Sequence, residues 1–126
     1  MTIARDSRTR SEIIACTTDD QVETVYTCPA NAKSHMGLLF ITNASANDTD
    51  IEVKWYRAED TTSYFILGSK NLGTGEFIQF SDAFIVLEAG DYITVEPSNT
   101  AGGGTPIIDV FCTVEEFFLP QQSGVR

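Results

Sequence analysis

Few side chains in this sequence have the type and spacing that chemistry requires. The single histidine is His35, and the cysteines are Cys16, Cys28 and Cys112. A general base needs oriented partners within hydrogen-bond reach, and no Gly-x-Ser-x-Gly elbow supplies a nucleophile. His35 therefore reads as a strand-edge residue. A zinc site takes three or four ligands at motif spacing, which one histidine and three scattered cysteines do not offer. An odd cysteine count with no Cys-x-x-Cys pair argues against a disulfide framework. All three read as free thiols, with Cys112 a small buried hydrophobe and a Cys16–Cys28 bridge the alternative if their strands are neighbours. No catalytic residue, metal or cofactor is expected, and the chain is not expected to be an enzyme.

Other motifs give way to structural readings. Asn47-Asp48-Thr49-Asp50 has the composition of a calcium loop without the Gly at position six and the Glu at twelve, so it reads as a turn. Carboxylate pairs of the glycosidase kind arise by chance in any acidic sandwich. Gly102-Gly103-Gly104 follows a strand but opens no helix and lacks a nearby Lys-Ser/Thr, so it is no phosphate cradle. Trp55, Tyr56, Tyr64 and Tyr92 would line a sugar-binding platform if they shared a face. Trp55, however, lies on the apolar side of its strand, which favours the core.

Charge narrows the partners. The 126 residues carry a net charge of −10, from 8 Lys and Arg against 18 Asp and Glu. That balance repels nucleic-acid phosphates. Residues 1–10 hold Arg5, Arg8 and Arg10 against Asp6, so this segment is +2 and the remainder −12. A basic arm on an acidic body suits docking to acidic surfaces, and bidentate Arg–carboxylate contacts are the expected means. No apolar run approaches the roughly 20 residues that cross a bilayer, and the first ten residues lack the h-region of a secretory signal. No membrane role is expected.

The elements that must position these groups are strands. Ile51, Val53 and Trp55 alternate with Glu52, Lys54 and Tyr56, the period of a half-buried strand. Short strands are also expected at 12–17, 22–28, 36–42, 63–67, 76–80, 84–87 and 92–96, and a long one at 107–119. Residues 36–42 are apolar without alternation, which predicts cover on both faces. The turns between strands are rich in Asn, Asp, Ser, Gly and Pro. About nine strands at this spacing make an all-β fold, an antiparallel β-sandwich of jelly-roll-like form. The domain limits read as an extended arm over 1–10, a sandwich over 11–120 and a tail over 121–126. At roughly 3.3 Å per residue the last strand spans about 40 Å, enough to bend between sheets or project from the body. Phe117, Phe118 and Leu119 at its end are expected to form a subunit contact if they are not all buried internally.

Four segments carry a resemblance. Val25-Tyr26-Thr27-Cys28-Pro29-Ala30, Ile41-Thr42-Asn43-Ala44-Ser45, Ile51-Glu52-Val53-Lys54-Trp55 and Leu87-Glu88-Ala89-Gly90-Asp91-Tyr92-Ile93-Thr94-Val95 follow one another in order. Over about residues 22–119 the chain resembles the small β-sandwich virion structural proteins of tailed bacteriophages, of the head-decoration or tail-accessory type. The motifs are scaffold features: Pro29 ends a strand, Asn43 and Ser45 make a turn, and Gly90 permits a bend that Asp91 caps. The resemblance implies a non-enzymatic virion protein assembled in the bacterial host cytoplasm. The role expected first is a capsid decoration or cement protein bridging shell subunits, with the major capsid protein as partner and self-association, a trimer being the form considered. A tail, baseplate or fibre-adaptor component is the alternative, and a carbohydrate-binding module contacting the host surface is the second. The candidate assembly contacts are Arg5, Arg8, Arg10, Phe117, Phe118 and Leu119.

Overall fold

Alternating and β-branched segments separated by turn residues have one way to satisfy their backbone groups, which is to pair with one another. The computed structural model describes residues 7–81, 85–98 and 104–119, and among them nine strands do so. These are β1 (Ser7–Cys16), β2 (Glu23–Thr27), β3 (Ala32–Asn43), β4 (Thr49–Arg57), β5 (Thr62–Leu72), β6 (Phe77–Phe80), β7 (Ile85–Leu87), β8 (Tyr92–Ser98) and β9 (Ile108–Phe118). Each overlaps an expected segment, and β1, β3 and β5 run longer than expected.

The strands form two antiparallel sheets. The first has the order β1-β9-β3-β6, with β7 also on β3, and the second β2-β8-β4-β5. The chain passes back and forth between them, and β9 returns to lie between β1 and β3. This interleaving is the double Greek key of a jelly roll. Strands β6 and β7 pair with opposite ends of β3 and together occupy one interrupted edge position. The fold is the all-β jelly-roll sandwich expected.

The core lies between the sheets. Met36, Leu39, Ile41, Val110 and Val114 project from one side and Ile51, Val53, Ile93 and Val95 from the other, all of them buried. Burial of each contributes about 1.5–3 kcal/mol. Two predicted turns close as their residues require. Gly90 takes φ +85°, and Asp91 accepts from Glu88 N at 3.0 Å and Ala58 N at 2.9 Å. The Asn43 amide donates to Asn47 O and Leu72 O, while its Oδ1 accepts from Ser45 N at 2.8 Å.

Three expectations change. First, β1 begins at Ser7, so Ser7 to Arg10 are strand; pairing from Ser7↔Phe117 to Cys16↔Ile108 supplies the order that their own sequence does not. Residues 1–6, with Arg5, and the tail 121–126 lie outside the described residues. Second, β9 neither bends between sheets nor projects, because β1 and β3 flank it along its length. Third, His35 lies on β3, which is flanked by β9 and by β6 and β7, and not on a sheet edge. All three cysteines are free and buried.

Candidate assembly surface

In a ladder, residues directly opposite each other project to the same face, so register sorts every side chain. Along β9 the residues Ile108, Val110, Cys112, Val114 and Glu116 point inward and are buried. Opposite them on β1 stand Arg8 against Glu116 and Arg10 against Val114. The Glu116 side chain has no solvent exposure, and Arg8 Nε donates to its Oε1 at 2.7 Å. Arg10 Nη1 lies 3.7 Å from Oε2, and the Tyr26 hydroxyl bonds both Glu116 and, at 2.7 Å, Ser34. Burial pushes the Glu116 carboxyl up. The Tyr26 hydrogen bond, the Arg8 hydrogen bond and the Arg8 and Arg10 charges outweigh it, so the group is held below its usual 4.5. The same carboxylate, after burial itself, helps push the Tyr26 phenol upward.

Two of the candidate contacts, Arg8 and Arg10, are thus engaged by a carboxylate of their own chain. Phe118 belongs to the same cluster: it packs against the core, and the Arg8 guanidinium lies 5.2 Å from its ring centre. Phe117 points the other way, half-buried, with its ring 4.9 Å from that of His35. Leu119 is 57% exposed beyond the strand end. Phe117 to Leu119 are therefore not all buried internally. The structure joins Arg8, Arg10 and Phe118 around Glu116, sets Phe117 half-buried on the other face and leaves Leu119 open.

The outer face of the first sheet carries what the sequence reading missed. Register aligns Ile13 with Phe111 and Phe111 with Phe40, and Phe77 stacks on Phe40 with centroids 5.0 Å apart. Phe40 and Phe111 are 5.6 Å apart. The result is an apolar ridge crossing the sheet from β1 to β6, with Ile13 69%, Phe77 57% and Phe111 38% exposed. Parity was the available signal. Phe111 and Ile13 are apolar at positions out of phase with the buried residues of their strands, and β3 is apolar on both faces. That β3 pattern predicted cover on both sides, yet nothing in the described chain covers the outer one.

Beside the ridge is a shallow hollow of about 310 Å³, lined by Thr9, His35, Gly37, Thr113 and Glu115. It forms where β3 bulges between Met36 and Leu38, and a Cβ on Gly37 would meet nothing within 4 Å. Among the paired outward positions of β1, β9 and β3, the charged side chains are Lys33, Asp109 and Glu115. The opposite sheet presents Glu52 directly against Glu96, with Lys54 against Thr94, a face suited to water. Its aromatics do not form one platform. Tyr56 and Tyr92 stack on the outer face at 4.5 Å, while Trp55 packs against the core and donates to Asp91 Oδ2 at 3.1 Å.

No family model and no curated protein matches the sequence. Solved structures match in fold. A chain of the acid-stable capsid of Helicobacter pylori bacteriophage KHP30 superposes with a TM-score of 0.57 at 11% identity, over 93% of this chain and 95% of that one. A protein of Bacillus endospore appendages, a family of disulfide-linked pili, gives 0.54 at 12%, over 93% and 92%. A chain of the T13 particle of infectious bursal disease virus gives 0.57 at 13%, over 92% of this chain and 32% of the viral one. This chain thus spans about a third of that viral protein. The likeness shows a jelly-roll fold shared with capsid and pilus proteins.

Proposed function

We propose that the chain is a non-enzymatic structural protein of a phage particle, a capsid decoration protein that bridges neighbouring shell subunits. The observation that carries this reading is its end-to-end likeness to a phage capsid chain, 93% of one over 95% of the other. That capsid chain is accordingly a single small jelly roll, as this one is. The bare ridge of Ile13, Phe111, Phe40 and Phe77 supplies the kind of surface that assembly requires. Many weak contacts repeated by symmetry would add through multivalency, with the major capsid protein as partner and residues 1–6, including Arg5, as an arm on the acidic body.

The pilus likeness is the weaker guide. Disulfide linkage needs accessible thiols, and Cys16, Cys28 and Cys112 are all buried. The carbohydrate-binding reading is weakened by the separation of Trp55 from the Tyr56–Tyr92 pair. A tail or fibre-adaptor role remains the alternative within the same class.

Immunogold labelling of virions of the phage that encodes this chain tests the proposal. Label over the heads is expected. Label confined to the tail would shift the role to the adaptor, and no label on particles with an accessible epitope would overturn the virion reading.

A further inference from the structure

We propose that the outer face of the β1-β9-β3-β6 sheet is a contact between two copies of this chain, packed face to face about a twofold axis. The inference deepens the assembly reading by naming the surface and its occupant.

Shape is the first argument. The ridge through Phe111 and Phe40 and the hollow at Gly37, Thr113 and Glu115 lie side by side along the strands. Thr113 is two residues beyond Phe111, so their separation is about 7 Å at roughly 3.3 Å per residue. A twofold axis in the interface, running across the strands between ridge and hollow, sets the ridge of each copy over the hollow of the other. An isologous contact requires a patch of this self-complementary kind.

Area is the second. The eleven residues of β9 give a length of about 36 Å, and four strand positions about 4.8 Å apart give a width of roughly 19 Å. The face thus offers about 700 Å², close to the roughly 800 Å² per partner of a standard interface.

Charge is the third. Of a net −10, the paired outward positions of β1, β9 and β3 contribute only Lys33, Asp109 and Glu115. Two copies can therefore meet here with little of the repulsion their acidic bodies exert elsewhere. Packed sheets stand about 10 Å apart, a gap that phenylalanine side chains from both faces can fill. The uncovered apolar side of β3 then receives the cover that its sequence predicts.

Sedimentation velocity of the full chain over a dilution series tests this. The wild type should dimerise. Phe111→Glu, which puts a charge on the ridge, and Gly37→Gln, whose Cβ meets nothing within 4 Å and whose side chain occupies the hollow, should each weaken the dimer at least about tenfold. Far-ultraviolet circular dichroism should stay unchanged in both. Phe65→Glu, on the outer face of the other sheet, should leave the dimer intact. A wild type that is monomeric throughout, a trimer, or a dimer indifferent to both ridge and hollow variants would overturn the proposal. A monomer that still labels virions would sink this interface while leaving the virion reading standing. A dimer absent from virions would do the reverse.

Discussion

Arg8 donates from the edge strand β1 to Glu116, a carboxylate with no exposure to solvent, at 2.7 Å. The pair fastens the start of the chain's first strand to the end of its last. It is half-wet on one side, since the Arg8 side chain is 56% exposed, and dry on the other, where the Tyr26 hydroxyl reaches the same carboxylate. An isolated buried carboxylate is costly, so the contacts that Glu116 receives decide whether β1 stays in place.

Arg8→Ala removes one of those contacts and leaves Arg10 and Tyr26. Solvent already screens Arg8, so the loss should be about 1–3 kcal/mol, below the 3–5 kcal/mol typical of a fully dry broken pair. Glu116→Gln keeps the shape and the Tyr26 contact and should cost less than Arg8→Ala. Urea denaturation of the three proteins at neutral pH checks the ordering. A Glu116→Gln protein less stable than Arg8→Ala would show that the charge, and not the satisfied shape, holds the cluster.

The same group sets an acid dependence. Glu116 is held below its ordinary 4.5 when folded, so its contribution is fully present above the unfolded value. It is lost as pH falls through the folded one. Wild-type stability should therefore drop more steeply below about pH 4.5 than that of Glu116→Gln. Parallel curves for the two proteins in acid would remove Glu116 as the cause.

Thiol accessibility separates covalent from non-covalent assembly. Burial, with the Glu23 and Asp109 carboxylates behind it, pushes the Cys16 thiol up to about 11. Burial likewise raises Cys112 to about 11, and Cys28 is shifted upward too. Thiolate is the reactive form, so native protein at pH 8 should titrate essentially none of its three cysteines with a disulfide reagent and all of them once denatured. A fast-reacting native thiol would reopen disulfide-linked assembly. For Cys16 the raised value also means stability that is complete below 9 and declines as pH rises from 9 through 11.

Strand positions were legible because local signals agree with the fold. Ile51, Val53 and Trp55 alternate, Pro29 stops β2, and Gly90 with Asp91 starts β8. Strand order was not legible, since pairings such as Ser7↔Phe117 join residues whose local sequences say nothing of one another. Ser7 to Arg10 show no strand period and are ordered by β9 alone. The site was half legible. Glu116 continues the inward phase of Ile108, Val110, Cys112 and Val114, and that phase marks it as buried. Arg8 and Arg10 as its partners follow only from register. The ridge needed both parity and register, because Phe40, Phe111 and Ile13 come from three strands that meet only in the folded sheet.

Asp91 holds the β7–β8 turn to the end of β4, the strand beside β8. It is 1% exposed and accepts from Trp55 Nε1, Ala58 N and Glu88 N. Asp91→Ala leaves these donors unpaired at about 1–3 kcal/mol for each buried one, and Asp91→Asn keeps one acceptor oxygen. Stability should fall in the order wild type, Asn, Ala, with Trp55 fluorescence shifting red in the Ala variant. Equal stability of the Asn and Ala variants would mean that water replaces the carboxylate.

Truncation separates arm from strand. Ser7 to Arg10 pair with β9 and include both arginines that reach Glu116, so a deletion through residue 10 damages the fold as well as the arm. Removing residues 2–6 should lower the melting temperature less than removing residues 2–10, because β1 and its pairing from Ser7 stay whole. Removing residues 2–10 should cost about 3–5 kcal/mol, a fall of roughly 10 °C or more for a domain of this size. If the arm anchors the protein, the shorter deletion alone should abolish co-sedimentation with virion shells. Full binding by the chain lacking residues 2–6 would assign the anchor to the folded body, and the half-buried Phe117 and the exposed Leu119 would then be the first positions to change.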